Sequence, residues 1–397
     1  EHSKTPLHDA CLYSKNEKIV ELLLKNKADV KAIDKNLRTP LHDACEQCNE
    51  RIIDLLIQNH ADLNAKDDDL RTPFHYISEN TNNIKVFEMF LENQGDVNMK
   101  DNCSSTPFHD ACGMLTNEKI IKLLLKYIHD VNAIEDESSF TPLHWACSYT
   151  NNEKIIEILL QHNAKVNIKD KYSKTPLHYA CMNTHNLKII ELLLNYQADV
   201  NIRDKDMKTP LIVACETYSY IEREPLLPQD SLVKEKVIEL LLQHHADANA
   251  QLGKFWKKTP LHIVCSETNN ERIIKLLLSH NADINIKDGL SNTPFHVACK
   301  ENKYPKIIDF LFKHHADPEA KNNIAETPYQ LARLNKHCKV ELIDLFIKHR
   351  GAQIKYLDDV VQNFQNMTTY IKYNPNMIHY MPKSTMSLLH LVIKRNS

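Results

Sequence analysis

Seven times the chain places a histidine three residues before a cysteine: His8/Cys11, His42/Cys45, His109/Cys112, His144/Cys147, His178/Cys181, His262/Cys265 and His296/Cys299. On a helix this spacing sets an imidazole and a thiol on one face, which is half of a structural zinc site. Zinc needs four such ligands at about 2.0–2.3 Å, whereas packed helices lie about 8–10 Å apart, so neighbouring pairs cannot close on one ion. The same separation exceeds the Cα reach of a disulfide, about 7 Å. With Cys215 in the same register, these thiols are expected to be small buried hydrophobes, while Cys48, Cys103 and Cys338 fall outside it and are the candidates for exposure.

Other chemistry is limited by composition. The 397 residues include five glycines, where average usage near 7% predicts roughly 28. Scattered at 95, 113, 253, 289 and 351, they cannot build a P-loop, a dinucleotide-binding GxGxxG or a GxSxG nucleophile elbow. No catalytic residue, cofactor or metal site is expected. A formal net charge of -3 gives no electrostatic case for nucleic acid, and no apolar run reaches the 18 residues of a membrane span. The chain opens on Glu1 without a basic or apolar leader, so a reducing, cytoplasmic setting is expected, and a fragment of a longer protein.

The elements that carry these residues follow from a repeat. Thr-Pro recurs at Thr5, Thr39, Thr72, Thr106, Thr141, Thr175, Thr209, Thr259, Thr293 and Thr327, at intervals of 33 to 35 residues except for one of 50. Proline suits the first turn of a helix, where its missing N–H has no partner to lose, and small residues follow on the side to be buried. After a polar break, runs such as Glu17–Lys25 place apolar residues at helical spacing, and a polar stretch leads to the next Thr-Pro. Each unit therefore reads as helix, turn, helix and extended turn.

The opening motif, TPLH at Thr5, Thr39, Thr141, Thr175 and Thr259 and TPFH at Thr72, Thr106 and Thr293, with DVN or a variant about 25 residues later, resembles the ankyrin repeat. The resemblance covers residues 1–351 as ten repeats and implies an all-α solenoid of stacked helix pairs with hairpin-like fingers. It implies no chemistry by itself. Repeat seven reads TPLI, with Ile212, and repeat ten reads TPYQ, with Gln330, so the turn bonds that the family makes with histidine are in question there. The insertion over 219–234, centred near Pro225, reads as a loop, and residues 352–397 as a degenerate helical tail that ends in a partial repeat. The family's usual glycines are replaced at three sites. The first holds Leu37, Leu70, Ser104, Ser139, Ser173 and Met207; the second Lys15, Cys48, Asn82, Thr116, Asn151 and His185; the third Lys27, His60, Gln94, Asn163, Gln197 and His245. If these backbones keep positive φ, each substitution costs about 1 kcal/mol relative to glycine.

A solenoid offers inner helices and fingers to a partner, and aromatic residues there mark contact points. Phe140, Trp145, Tyr149, Tyr172, Tyr179, Phe255 and Trp256 are the expected partner-binding residues. The partner is expected to be another protein, bound by a monomeric scaffold; a targeting or regulatory arm of a larger enzyme, channel or ubiquitin-ligase adaptor is the alternative. The asparagines of the DVN-like segments are expected to bond within their own turns. The resemblance also implies hydroxylation at Asn64, Asn132, Asn201 and Asn285, each with a leucine eight residues upstream (Leu56, Leu124, Leu193 and Leu277).

Overall fold

A computed structural model describes residues 4–13, 16–183, 186–223 and 228–350, so the tail over 352–397 lies outside the described residues. The chain divides into two compact units, Glu1–Leu252 and Gly253–Ser397. In the first, inner helices α1 (Pro6–Tyr13), α3 (Pro40–Glu46), α5 (Pro73–Asn80), α7 (Pro107–Met114), α9 (Pro142–Tyr149), α11 (Pro176–Asn183) and α13 (Pro210–Arg223) stack in chain order. Their outer partners are α2 (Glu17–Lys25), α4 (Glu50–Gln58), α6 (Ile84–Glu92), α8 (Glu118–Leu124), α10 (Glu153–Gln161), α12 (Leu187–Asn195) and α14 (Pro228–Gln243). The second unit holds α15 (Pro260–Glu267), α16 (Glu271–Ser279), α17 (Pro294–Glu301), α18 (Pro305–Lys313), α19 (Pro328–Ala332) and α20 (Lys339–Arg350), with α15, α17 and α19 stacked in turn. No strand forms among the described residues; the fingers are tight turns.

The Thr-Pro-x-His motif starts each inner helix by a capping box. In repeat two the extended Thr39 (φ -92°) donates its N–H to His42 Nδ1 at 3.0 Å, and Pro40 occupies the first helical turn. The other ring nitrogen faces a carbonyl, so it carries the proton: His42 Nε2 donates to Arg71 O of the next finger at 3.2 Å, and His8, His75, His144 and His178 do the same one repeat on. One imidazole therefore caps its own helix and clamps the next repeat. Gln330 rebuilds the box in repeat ten, its Oε1 accepting from Thr327 N at 2.8 Å; the apolar Ile212 of repeat seven has no group to do so.

Outer helices use asparagine instead. Asn49 and Asn83, in extended conformation, accept from Ile52 N and Lys85 N, and Asn117, Asn152 and Asn270 repeat the cap. Apolar residues then fill the space between layers, with Ile52, Ile53, Leu56, Val86, Phe87 and Phe90 fully buried. The insertion in repeat seven is not a simple loop: α13 runs to Arg223 and α14 begins at Pro228, so much of it lengthens two helices. Lys234 of α14 is buried and donates to the Cys181 and Met182 carbonyls of repeat six at 3.0 and 3.1 Å.

At two of the three glycine-replacement sites every residue named above adopts positive φ, from Leu37 (57°) to Met207 (65°) before the Thr-Pro and from Lys27 (63°) to His245 (65°) after the outer helix. The site between helices does not: Cys48 is positive at 55°, but Asn82, Thr116 and Asn151 keep negative φ behind extended residues such as Thr81 and Thr150. Repeat four departs once more. Ile128 stands where the others turn left-handed, and a β-branched residue resists that conformation. Its outer helix α8 ends early at Leu124, and a recess opens beside Phe108, Ile128 and His129.

Candidate partner-binding surface

The residue before each Thr-Pro threonine sits at the base of a finger, against the inner helix, and most of these residues are cations. Lys4 and Arg38 hold the buried Asp43 at 3.0 and 2.9 Å, and Arg38 also pairs with Glu46. Burial still pushes the Asp43 carboxyl above its ordinary range. Arg38 and Arg71 lie 5.0 and 4.8 Å from the Tyr76 ring, Arg71 pairs with Glu79 at 2.7 Å, and Lys208 with Glu216 at 2.7 Å.

Within the first unit this ladder breaks at two consecutive fingers, where Ser105 and Phe140 replace the cation; in the second, Asn292 and Glu326 also stand in its place. Asp110 of α7 is buried with its Oδ2 free of hydrogen bonds, 3.7 Å from Arg71. Burial, and then the Glu79 charge, raise its carboxyl well above the usual range. One turn on, Gly113 stands where repeats two, three and seven carry Glu46, Glu79 and Glu216, and the Trp145 ring of α9 lies over it, 2.9 Å from where a Cβ would sit. Trp145 packs on the exposed Tyr149 with ring centroids 5.2 Å apart, and neither Trp145 Nε1 nor Ser148 Oγ has a hydrogen-bond partner.

The neighbouring aromatics are tied down. Phe140 is 8% exposed, stacked on His144 at 5.3 Å and edge-on to Tyr179 at 4.9 Å, so it supports the surface from beneath. Tyr179 is half-buried, donates to Asp170 Oδ2 at 2.6 Å and carries Lys174 5.4 Å from its ring. Tyr172 is exposed at its fingertip, with Lys171 5.1 Å away. Trp145, Tyr149, Tyr172 and Tyr179 thus share adjacent repeats of the first unit, while Phe255 and Trp256 are exposed on a finger of the second.

The histidines and cysteines are already committed. Both ring nitrogens of each motif histidine are bonded, and burial lowers His42, His75, His109 and His144 to about 4, so they are neutral. Burial likewise pushes Cys11 and Cys181 up to about 12. Of the three cysteines expected at the surface, Cys48 and Cys103 are partly exposed, but Cys338 is buried, its Sγ directed at Asn302 O.

The DVN-like asparagines do not bond within their own turns alone; they staple neighbouring repeats. Asn64 donates to Gln94 O at 3.0 Å and accepts from Asp96 N at 2.8 Å. Asn132 joins Asn163 O and Lys165 N, Asn201 joins His245 O and Asp247 N, and Asn285 joins His315 O and Asp317 N. Each donates to the carbonyl of a left-handed residue, so a hydroxylase could reach these amides only by opening the staple. Glu135 was also not singled out from sequence. Its finger is one residue longer, and in place of the usual aspartate its longer side chain accepts from Glu137, Ser138 and Phe140 N–H groups at 2.8–3.0 Å. The extra residue also shifts the His109 clamp to Ala133 O.

Family models for ankyrin repeats match residues 1–67, 74–170 and 231–322 in three-copy form and residues 159–214 in many-copy form. The chain belongs to the ankyrin-repeat family. Comparison with curated proteins finds no match. Ankyrin repeats are in general protein–protein interaction modules. Among the described residues of this ankyrin protein, no helix is long and apolar enough to cross a membrane.

Proposed function

We propose that this chain is a non-catalytic scaffold that captures a partner protein on the inner-helix and finger surface of repeats four to six. The observation that carries this reading is the break in the cation ladder. Where Ser105, Gly113 and Phe140 remove the chain's own charged pairs, the aromatic pair Trp145 and Tyr149 takes their place, with Trp145 Nε1 and Asp110 Oδ2 left without hydrogen bonds. Those polar atoms are buried, so what this break offers a partner is the exposed Tyr149 ring backed by the partly exposed Trp145 indole. Tyr149, Tyr172 and Tyr179 extend the surface, and Phe140 sets its level from below. The eleven cysteines are all free thiols, which suits a reducing compartment.

The test is affinity capture with the whole chain and a Tyr149→Ala/Tyr172→Ala double variant. Both rings are exposed, so thermal unfolding is expected to stay unchanged while partner recovery falls. An unchanged set of captured proteins refutes the assignment of this surface.

A further inference from the structure

The fingers of the second unit differ from the rest in what their tips expose. Phe255 is 87% and Trp256 60% exposed on the first, Leu290 50% on the second and Ile324 73% on the third. Successive tips are tied by backbone bonds, Gly289 N to Trp256 O at 2.6 Å and Asn323 N to Leu290 O at 3.0 Å, so the apolar groups form one edge. The arrangement depends on Gly289, where a Cβ would fall 1.6 Å from Phe255 O. The equivalent tips in the first unit are mostly polar, as at Asn36, Asp69 and Asp206, although Tyr172 is exposed at one of them and Leu37 and Leu70 lie beside two others.

Lysine dominates the charge around this edge, with Glu326, two residues beyond Ile324, as the one partly exposed acid of the three fingers. The first finger reads Gly253-Lys254-Phe255-Trp256-Lys257-Lys258, two residues longer than the common form and without an acid, whereas every other finger between Thr-Pro motifs contains at least one. Lys287 and Lys321 lie at the bases of the next two fingers, Lys287 Nζ donating to Lys321 O at 3.3 Å. None of these five lysines makes an ion pair within the described residues. Asp288, the acid of the second finger, is buried and accepts its own turn N–H groups.

We propose that this edge docks on an anionic membrane surface, with Phe255 and Trp256 seated at the headgroup level and the lysines facing the acidic headgroups. A projecting row of apolar tips suits a flat partner that touches all of them together, and tryptophan beside lysine is the residue pairing that anchors at such an interface. Each lysine near an anionic leaflet contributes about 1 kcal/mol, which makes binding reversible and salt-sensitive. Nothing here requires insertion of a helix, and the inference is independent of the partner surface on repeats four to six.

The test is co-sedimentation of the whole chain with phosphatidylcholine vesicles, with and without phosphatidylserine, at low and high salt. Binding is expected only with phosphatidylserine and is expected to weaken with salt. Replacing Lys254, Lys257 and Lys258 together by glutamine should lower partitioning roughly a hundredfold. Phe255→Ala/Trp256→Ala should also release the chain, with circular dichroism unchanged because both side chains are exposed. In a Trp145→Phe background Trp256 is the sole tryptophan, and its emission should shift to the blue on vesicles. The inference is overturned by absence of binding to phosphatidylserine vesicles at low salt, by an unshifted emission, or by equal binding of the lysine variant. It is overturned also if poly-glutamate or single-stranded nucleic acid, and not vesicles, occupies the lysines. None of these outcomes bears on the Tyr149/Tyr172 capture experiment.

Discussion

Acid should dismantle the first unit through its buried histidines. His42, His75, His109 and His144 are held at about 4, chiefly by burial, against about 6.5 in an unfolded chain. A lowered pKa means that the unfolded state binds protons first, so this stability is complete above about pH 6.5 and is lost as pH falls toward 4. At pH 5 each histidine has forfeited about 2 kcal/mol, and the four together about 8 kcal/mol, comparable to the whole stability of many domains. The raised carboxyls of Asp43, Asp101 and Asp110 act in the opposite sense, gaining stability as they protonate, but three groups face five lowered histidines in this unit when His178 is included. Protonation also removes the Nδ1 acceptor and leaves the N-cap threonine N–H without a partner. Urea unfolding followed by circular dichroism at pH 7, 6 and 5 is the assay. Gln330 shows that glutamine can serve the same capping box, so His75→Gln should shrink the pH 7-to-5 loss by about 2 kcal/mol. Equal stability at pH 7 and pH 5, or an unchanged pH slope in His75→Gln, refutes the reasoning.

Three further outcomes follow from the backbone. Asn163→Gly and His60→Gly relieve left-handed residues at 66° and 63° and should each raise stability by about 1 kcal/mol, while Thr116→Gly, at a negative φ, should lower it; thermal melts decide. Gly289→Ala drives a Cβ against Phe255 O and should break the 2.6 Å Gly289–Trp256 bond, costing about 1–3 kcal/mol; faster exchange of the Gly289-position amide would show it, and unaltered protection would contradict it. Glu135→Asp shortens the side chain that spans the longer finger, and should expose the Ser138 and Phe140 amides to exchange while a melt falls by about 1 kcal/mol.

The sequence by itself determined the period, the helix pairs and their starts, because a 34-residue recurrence of Thr-Pro writes the same local physics ten times, eight of them with the histidine: proline at a first turn, an imidazole within reach of its own cap, apolar residues at helical spacing. It also located the two of the three glycine-replacement sites that turn left-handed, since such corners are local events, whereas the site between the helices keeps negative φ at Asn82, Thr116 and Asn151. What only the tertiary structure decided is what joins one repeat to the next. The histidine Nε2 clamp, the asparagine staples to Gln94 and its equivalents, and the Lys234 contacts to α11 connect groups about thirty to fifty residues apart, a distance at which spacing carries no direction. The same holds for the surface. Phe140 and Tyr149 look alike in the sequence, yet one is covered by Tyr179 from the next repeat and the other stays exposed. Burial is a property of the stack, and a unit of 34 residues does not contain its own neighbours.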